Sequence, residues 1–344
     1  MVEACGLPSP RWPIAAAVAL ALLIDRWLGE PSVRWHPVVW MGHYLGWTGC
    51  RIAPFAPSPV GGRLGGGPAS HGKDPNLKPF VLGFLAWWVG VAIVLIVSCA
   101  VNSALRRLPG WAAVLLLGIA LKPLLAWRLL QREVLEVEAA LASSLAAGRA
   151  RLARLVSRDV SALSTSEVRE STIESLAENL NDSVVAPVFW FALFGLPGAA
   201  LYRFANTADA MWGYRGERGG RDWTWAGKWA ARADDVLSWV PARLTALLLA
   251  LTAWRWPRGL TTEARRTLSP NSGWPMAAMA LLHGVRLGKP GVYTLNATGR
   301  EPTGADVQRS AAAGARVVLV LAGIASLVGG LMATGFFDSI GNKY

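Results

Sequence analysis

Glu170, Glu174, Glu178 and Asp182 recur at intervals of four, so on a helix they form one acidic stripe. Like charges at that spacing destabilise an isolated helix by about 0.2–0.5 kcal/mol per pair, so a metal ion, arginines or water must oppose them. A solvated face is the plain alternative, but this stripe runs directly into the apolar stretch Val184–Leu201. Asn206 with Asp209, and Asp234-Asp235 beside Arg232, add two more carboxylate clusters. Such oxygen donors suit a hard cation such as magnesium, which makes Glu178, Asp182, Asp209, Asp234 and Asp235 candidate ligands. Arg203, Arg215, Arg232 and Arg243 carry permanent, fork-shaped charge suited to phosphate. Carboxylates for a metal beside arginines for phosphate are the recurring parts of phosphoryl-transfer sites. A transport cavity for an anion draws on the same residue types, so composition alone leaves both open.

The chain around these residues has 344 positions, 53% hydrophobic and only 16% charged, with 18 Trp. Soluble domains carry roughly a quarter charged residues, so the balance points to a membrane protein. The net charge of +12 is mostly arginine spread between apolar runs, with no compact basic motif, which argues against nucleic acid. Cys5, Cys50 and Cys99 are far apart and indicate neither a disulfide framework nor a zinc site. Gly67 and Gly72-Lys73 have phosphate-loop spacing, but Asp74 and Pro75 stand where a magnesium hydroxyl and a helix start belong.

Phe80–Val101 and Val317–Phe337 read as clean spans, while Ile14–Ile24 is short for one. Trp111–Trp127 is interrupted by Lys122-Pro123, and a lysine at that depth must snorkel or face a polar interior. Residues 54–79 read as a flexible Gly/Pro-rich loop, and residues 128–183 as a cytoplasmic helical segment within one polytopic domain, 1–344. Within that segment Leu129, Leu130, Val134, Val137, Leu141 and Leu145 predict an amphipathic helix that Gly148 punctuates. Ser171 or Thr172 is the expected cap of a fresh helix bearing Glu174 and Glu178. The turn carrying Asp25, Glu30 and His36 is expected to close the site from the N-terminal side.

The arginine-rich segments Arg128–Asp182, Tyr202–Asp235 and Arg255–Gln308 are each separated by one apolar run. If both runs cross fully, the middle segment lies outside, against the positive-inside tendency. Pro187, Gly195, Pro197 and Gly198 favour a re-entrant Val184–Leu201, since broken backbone at membrane depth is tolerated where it lines a polar cavity. Val236–Trp256 is likewise expected to be tilted, broken or paired with Met276–Val285. The fold class is therefore all-α, a polytopic membrane protein with about five transmembrane helices, some broken or re-entrant.

Six ordered blocks carry a family resemblance. They are Asp25…Gly29-Glu30-Pro31…His36-Pro37-Val38; Arg158-Asp159; Glu174-Ser175-Leu176-Ala177-Glu178-Asn179…Asp182…Ala186-Pro187; Asn206-Thr207…Asp209…Met211…Gly213-Tyr214; Ala231-Arg232…Asp234-Asp235…Pro241-Ala242-Arg243; and Ser269-Pro270-Asn271…Trp274. Together they resemble the adenosylcobinamide-phosphate synthases (CobD/CbiB) of cobalamin biosynthesis, from about Leu22 to Gly304. The resemblance implies an integral enzyme of the cell (inner) membrane with its active-site loops in the cytoplasm. Its reaction would join adenosylcobyric acid, a corrinoid, to an amino alcohol phosphate through an amide bond, with ATP and Mg2+. Glu174, Glu178, Asn179 and His36 are then the catalytic candidates. Arg158, Arg203, Arg215, Arg232, Arg243, Asn206, Tyr214 and Asn271 are the candidates for holding ATP. The expected partners are those two substrates, the bilayer, and a second copy or other cobalamin-synthesis enzymes. A corrinoid transporter or a scaffold subunit is the competing class. The sequence departs from the family pattern at Ala208, Ser238-Trp239, Met276 and Lys289, and Gly216–Trp229 is irregular. Met276 puts any catalytic role for that position in doubt.

Overall fold

A computed structural model describes residues 12–56 and 76–333. Thirteen α-helices in this part carry the chain: α1 Trp12–Leu28, α2 Pro37–Ile52, α3 Leu77–Leu105, α4 Gly110–Leu121, α5 Trp127–Ser143, α6 Leu145–Leu152, α7 Thr165–Leu180, α8 Ala186–Trp212, α9 Lys228–Leu237, α10 Trp239–Thr252, α11 Leu260–Ala264, α12 Gly273–His283 and α13 Gly304–Ala333. Two minimal antiparallel hairpins interrupt them, β1 Glu217–Arg218 with β2 Arg221–Asp222, and β3 Leu287–Lys289 with β4 Tyr293–Leu295. Four helical stretches are long and apolar enough to cross a membrane, or five if α9 and α10, bent by 46° at Ser238, count as one. That bend, with α10 packed on α12, is the broken and paired arrangement expected of Val236–Trp256.

Helix α3 leaves Val89, Ile93, Ile96 and Val97 exposed, and α13 does the same with Leu319, Ile324 and Leu327. Contiguous apolar faces of this kind need lipid rather than water. On their inner sides α1 packs between α4 and α13, while α3 lies along α8 and α9.

The reversal of α8 organises everything else. Thr165–Trp212 is 48 residues long, which as a straight helix would reach ~72 Å. Instead, Asn206 Nδ2 donates to Asp182 Oδ2 at 3.1 Å and Arg203 Nη1 to the Asp182 carbonyl at 3.2 Å. Residues separated by about 20 positions touch only if the chain turns back. The turn is at Gly195, whose φ of 65° and ψ of −155° lie in a region open essentially to glycine. Two residues on, Pro197 removes a ladder donor. A Cβ on Gly198 would lie 2.3 Å from the Trp190 carbonyl oxygen, so only glycine lets the two arms close. The expected re-entrant Val184–Leu201 is thus a helical hairpin whose second arm returns to the end where the first began. Gly195→Ala is expected to cost about 1–3 kcal/mol through backbone strain alone, read as a lower melting temperature in detergent.

Four local expectations are corrected. Helix α7 starts at Thr165, capped by Ser164 with Glu167 returning the bond to the Ser164 N–H; this reciprocal cap outcompetes Ser171 and Thr172, whose hydroxyls bond back to carbonyls within the helix. The amphipathic helix breaks at extended Ser144, which caps α6, and Gly148 lies buried inside α6 against Leu141. The loop read over residues 54–79 ends sooner, because Leu77-Lys78-Pro79 open α3, where proline is tolerated in the first turn. The Gly67 and Gly72-Lys73 spacing lies outside the described residues. Cys99 is disulfide-bonded, where the spacing of the cysteines indicated no disulfide framework, while Cys50 is a free thiol.

Candidate active site

The stripe on α7 is neutralised differently at each step. Glu170, 3% exposed, pairs with Arg286 at 3.1 Å. Glu174 pairs with Arg158 at 3.4 Å, and Arg158 also donates to Ser171 Oγ at 2.6 Å. Glu178 has no ion pair among the described residues, and the nearby charges of Asp182, Glu174 and Asp209 all act against its own. After Leu180 the helix widens into a single π-turn, Asn181–Val185. The wider turn shifts the helical phase, and such turns recur at functional sites. Here it aims Asp182 at the returning arm of α8, where Asn181, Asn206 and the Tyr202 hydroxyl donate to its carboxylate.

These elements enclose a cavity of about 230 Å³. Glu178 and Asp182 enter from α7 and its π-turn, Asp209 and Arg215 from the end of α8, and Asp234 and Asp235 from α9. Asn271 closes the far wall, donating to the Asp235 carbonyl at 2.7 Å and accepting from Arg243 at 2.9 Å. Asn206 lies behind, bonded to Asp182 and 3.4 Å from Asp234. All five carboxylates expected to hold a metal therefore line one cavity, although no three of them form a ready metal-binding group among the described residues. That arrangement fits magnesium, which keeps several waters and takes one or two carboxylates plus substrate phosphate oxygens rather than a full protein cage.

A smaller cavity of about 180 Å³ adjoins it, lined by Arg158, Glu174, Asn179, Lys289 and Tyr293. Glu178 belongs to the walls of both. Burial first, then the Glu174 charge, raises the Tyr293 hydroxyl above its ordinary range and keeps it a donor.

Four expected residues lie elsewhere. The Tyr214 hydroxyl is spent on the Ala210 carbonyl, and its ring lies under Arg218. Arg232 is exposed and reaches the site only through its charge on Asp235. Arg243 is stacked by Trp239 and Trp274 at the rim. His36 bonds to Glu30 at 3.2 Å, and Glu30 meets Lys122 at 2.8 Å, with Asp25 3.2 Å from the same ammonium. Lys122 thus faces a polar interior. Burial opposes ionisation of Glu30, but the bonds from His36 and Lys122 win and hold its carboxyl below the usual range. The charge of Glu30 links this cluster to the acid site by acting on Arg203. His36 lines neither cavity. Sequence reading missed Lys289 and Tyr293, which sit on strands of three residues, too short to show alternation. The only signal there is the turn dipeptide Pro290-Gly291. Ser238 lines the larger cavity and contacts Tyr202 at 3.0 Å, whereas Met276 is buried with its sulfur 3.8 Å from the Tyr293 hydroxyl.

Fold and site together define an all-helical membrane protein whose re-entrant hairpin frames an acid- and arginine-lined polar site. The family model described as CobD/Cbib protein matches residues 18–328, and the chain belongs to that family. It is 36% identical over 290 residues to a probable cobalamin biosynthesis protein CobD of Methanothermobacter thermautotrophicus, covering 81% of this chain and 86% of that one. It is 37% identical over 319 residues to a probable CobD of Thermococcus kodakarensis, covering 92% and 95%. The cobalamin biosynthesis protein CobD of Rhodobacter capsulatus is 36% identical over 310 residues, covering 87% and 92%. No solved structure matches the chain.

Proposed function

We propose that this protein is the ligase of cobalamin biosynthesis that joins adenosylcobyric acid to an amino alcohol phosphate, with ATP as co-substrate. The observation that carries this reading is the pair of cavities sharing Glu178, one rich in carboxylates and the other holding two cations. A carboxylate does not condense with an amine unaided at neutral pH. Attack of its oxygen on the terminal phosphorus of ATP releases ADP and leaves an acyl phosphate. The amine nitrogen then attacks the acyl carbon, phosphate departs, and a base removes the surplus proton. Glu178 is placed to take that proton, because it stands between the cavities and has no cation paired to it. Arg215 at the larger cavity supplies fork-shaped donors for spreading phosphoryl charge. Asp182, Asp209, Asp234 and Asp235 would hold magnesium, which when bound neutralises phosphate oxygens. Asn206 and Arg203 hold Asp182 and the hairpin arm in place.

ATP is available in the cytoplasm, so we assign the face carrying this site to that side of the cell membrane. Purified protein incubated with adenosylcobyric acid, aminopropanol phosphate, ATP and magnesium is expected to yield the amide, detected by mass. No product from protein that is folded and binds both substrates would refute the ligase reading.

A further inference from the structure

The smaller cavity has a composition of its own. Its volume of about 180 Å³ is below the roughly 300 Å³ at which drug-sized ligand sites begin, so its occupant is small. Part of the lining offers donors. Lys289 has no ion pair among the described residues and the Arg158 Nε is buried without a partner, while the Tyr293 hydroxyl already meets the Met276 sulfur and the Glu174 carboxylate. Among these donors stand two acceptors, Glu178 and Glu174, the latter 5% exposed with its Oε1 buried and unpartnered. Buried polar atoms left open in this way cost stability unless something meets them. A ligand that satisfies both kinds of group carries an anionic group and an ammonium.

We infer that this cavity binds the small zwitterionic substrate, with its phosphate on Lys289 and Arg158 and its ammonium against Glu174 and Glu178. The assignment rests on the ligase reading, in which that zwitterion is the amino alcohol phosphate. It places the amine beside the one carboxylate shared with the larger cavity, where the activated acid must arrive. Lys289 becomes a substrate-positioning residue, and the larger cavity, about 230 Å³, is left to the phosphate end of the nucleotide.

The test is titration calorimetry on the full-length protein in detergent, with aminopropanol phosphate, aminopropanol and inorganic phosphate as separate probes. Wild type is expected to bind aminopropanol phosphate more tightly than either fragment. Lys289→Met should weaken that binding by at least about tenfold, since a charge-assisted contact is lost. Lys289→Arg should restore most of it, and aminopropanol alone should bind both proteins equally. Lys289 lies on a half-exposed hairpin, and an unchanged melting temperature checks that Lys289→Met remains folded. Equal affinity of Lys289→Met and wild type for aminopropanol phosphate, or no binding by wild type, overturns the assignment. So does a variant that instead weakens only ATP, even with amide formation intact. Binding as expected without amide formation keeps the subsite and removes the ligase reading.

Discussion

Replacing Glu178 by Gln is expected to lower the rate of amide formation by roughly 10²–10⁴-fold, the range associated with loss of a positioned general base. Glutamine keeps the shape and packing of the side chain, so the cavities stay formed. What it removes is a carboxylate that stands in both walls and is crowded by the charges of Asp182, Glu174 and Asp209. Relief of that repulsion means the variant should melt no lower than wild type while turnover collapses. Single-turnover rates followed by mass, alongside melting in the same detergent, separate the two effects. Wild-type turnover in Glu178→Gln would remove the residue from the reaction.

The second large effect concerns stability. Lys122→Met is expected to destabilise the protein by about 3–5 kcal/mol, because it strands buried carboxylates that the ammonium now neutralises. Lys122 is 3% exposed, with Asp25 at 1%, and its ammonium contacts both Asp25 and Glu30. The Glu30 charge also acts on Arg203, so part of the loss should spread to the hairpin. A triple variant, Asp25→Asn, Glu30→Gln and Lys122→Met, should recover much of the stability by removing the stranded charges with their partner. In wild type, Glu30 has its carboxyl below the unfolded value. Its contribution is therefore present above the unfolded value and lost as the pH falls through the folded one. Chemical unfolding of the three proteins checks this, and Lys122→Met with wild-type stability would show that the cluster does not hold the fold together.

Much of this was legible in the residues because spacing and composition survive folding. The four-residue interval of the acids gave the stripe that α7 carries through Glu178, and Pro187, Gly195, Pro197 and Gly198 marked Val184–Leu201 as broken, with Gly195 its turn in the fold. The five carboxylates were identifiable as one set because each borders membrane-grade sequence, where an unneeded charge is costly. What stayed hidden was long-range or too short to have a period. Nothing near Lys122 announces Asp25 and Glu30, nearly a hundred positions earlier, as its partners. Lys289 and Tyr293 come from a hairpin whose strands are shorter than one alternation can define. Tyr214 misled because its neighbours Asn206 and Asp209 face the site while its own hydroxyl returns to the helix. Ser164 was readable and overlooked, since Glu167 three positions on completes a capping box.

The claim on which the rest depends is that the reversal at Gly195 returns α8 to its starting side, so the segments flanking it share one face. Single cysteines at Ser164, Arg218 and Thr262 mark the segment before the hairpin, the one after it and a later loop, and all three positions are exposed. They would be introduced after replacing the free thiol Cys50 and leaving the disulfide at Cys99 intact. A membrane-impermeant thiol reagent applied to intact cells is expected to leave all three unlabelled, and to label all three once the cells are opened. Labelling of the Arg218 position from outside, with the Ser164 and Thr262 positions protected, would mean that Val184–Leu201 crosses fully and that no single site unites Glu178, Asp209 and Asp235.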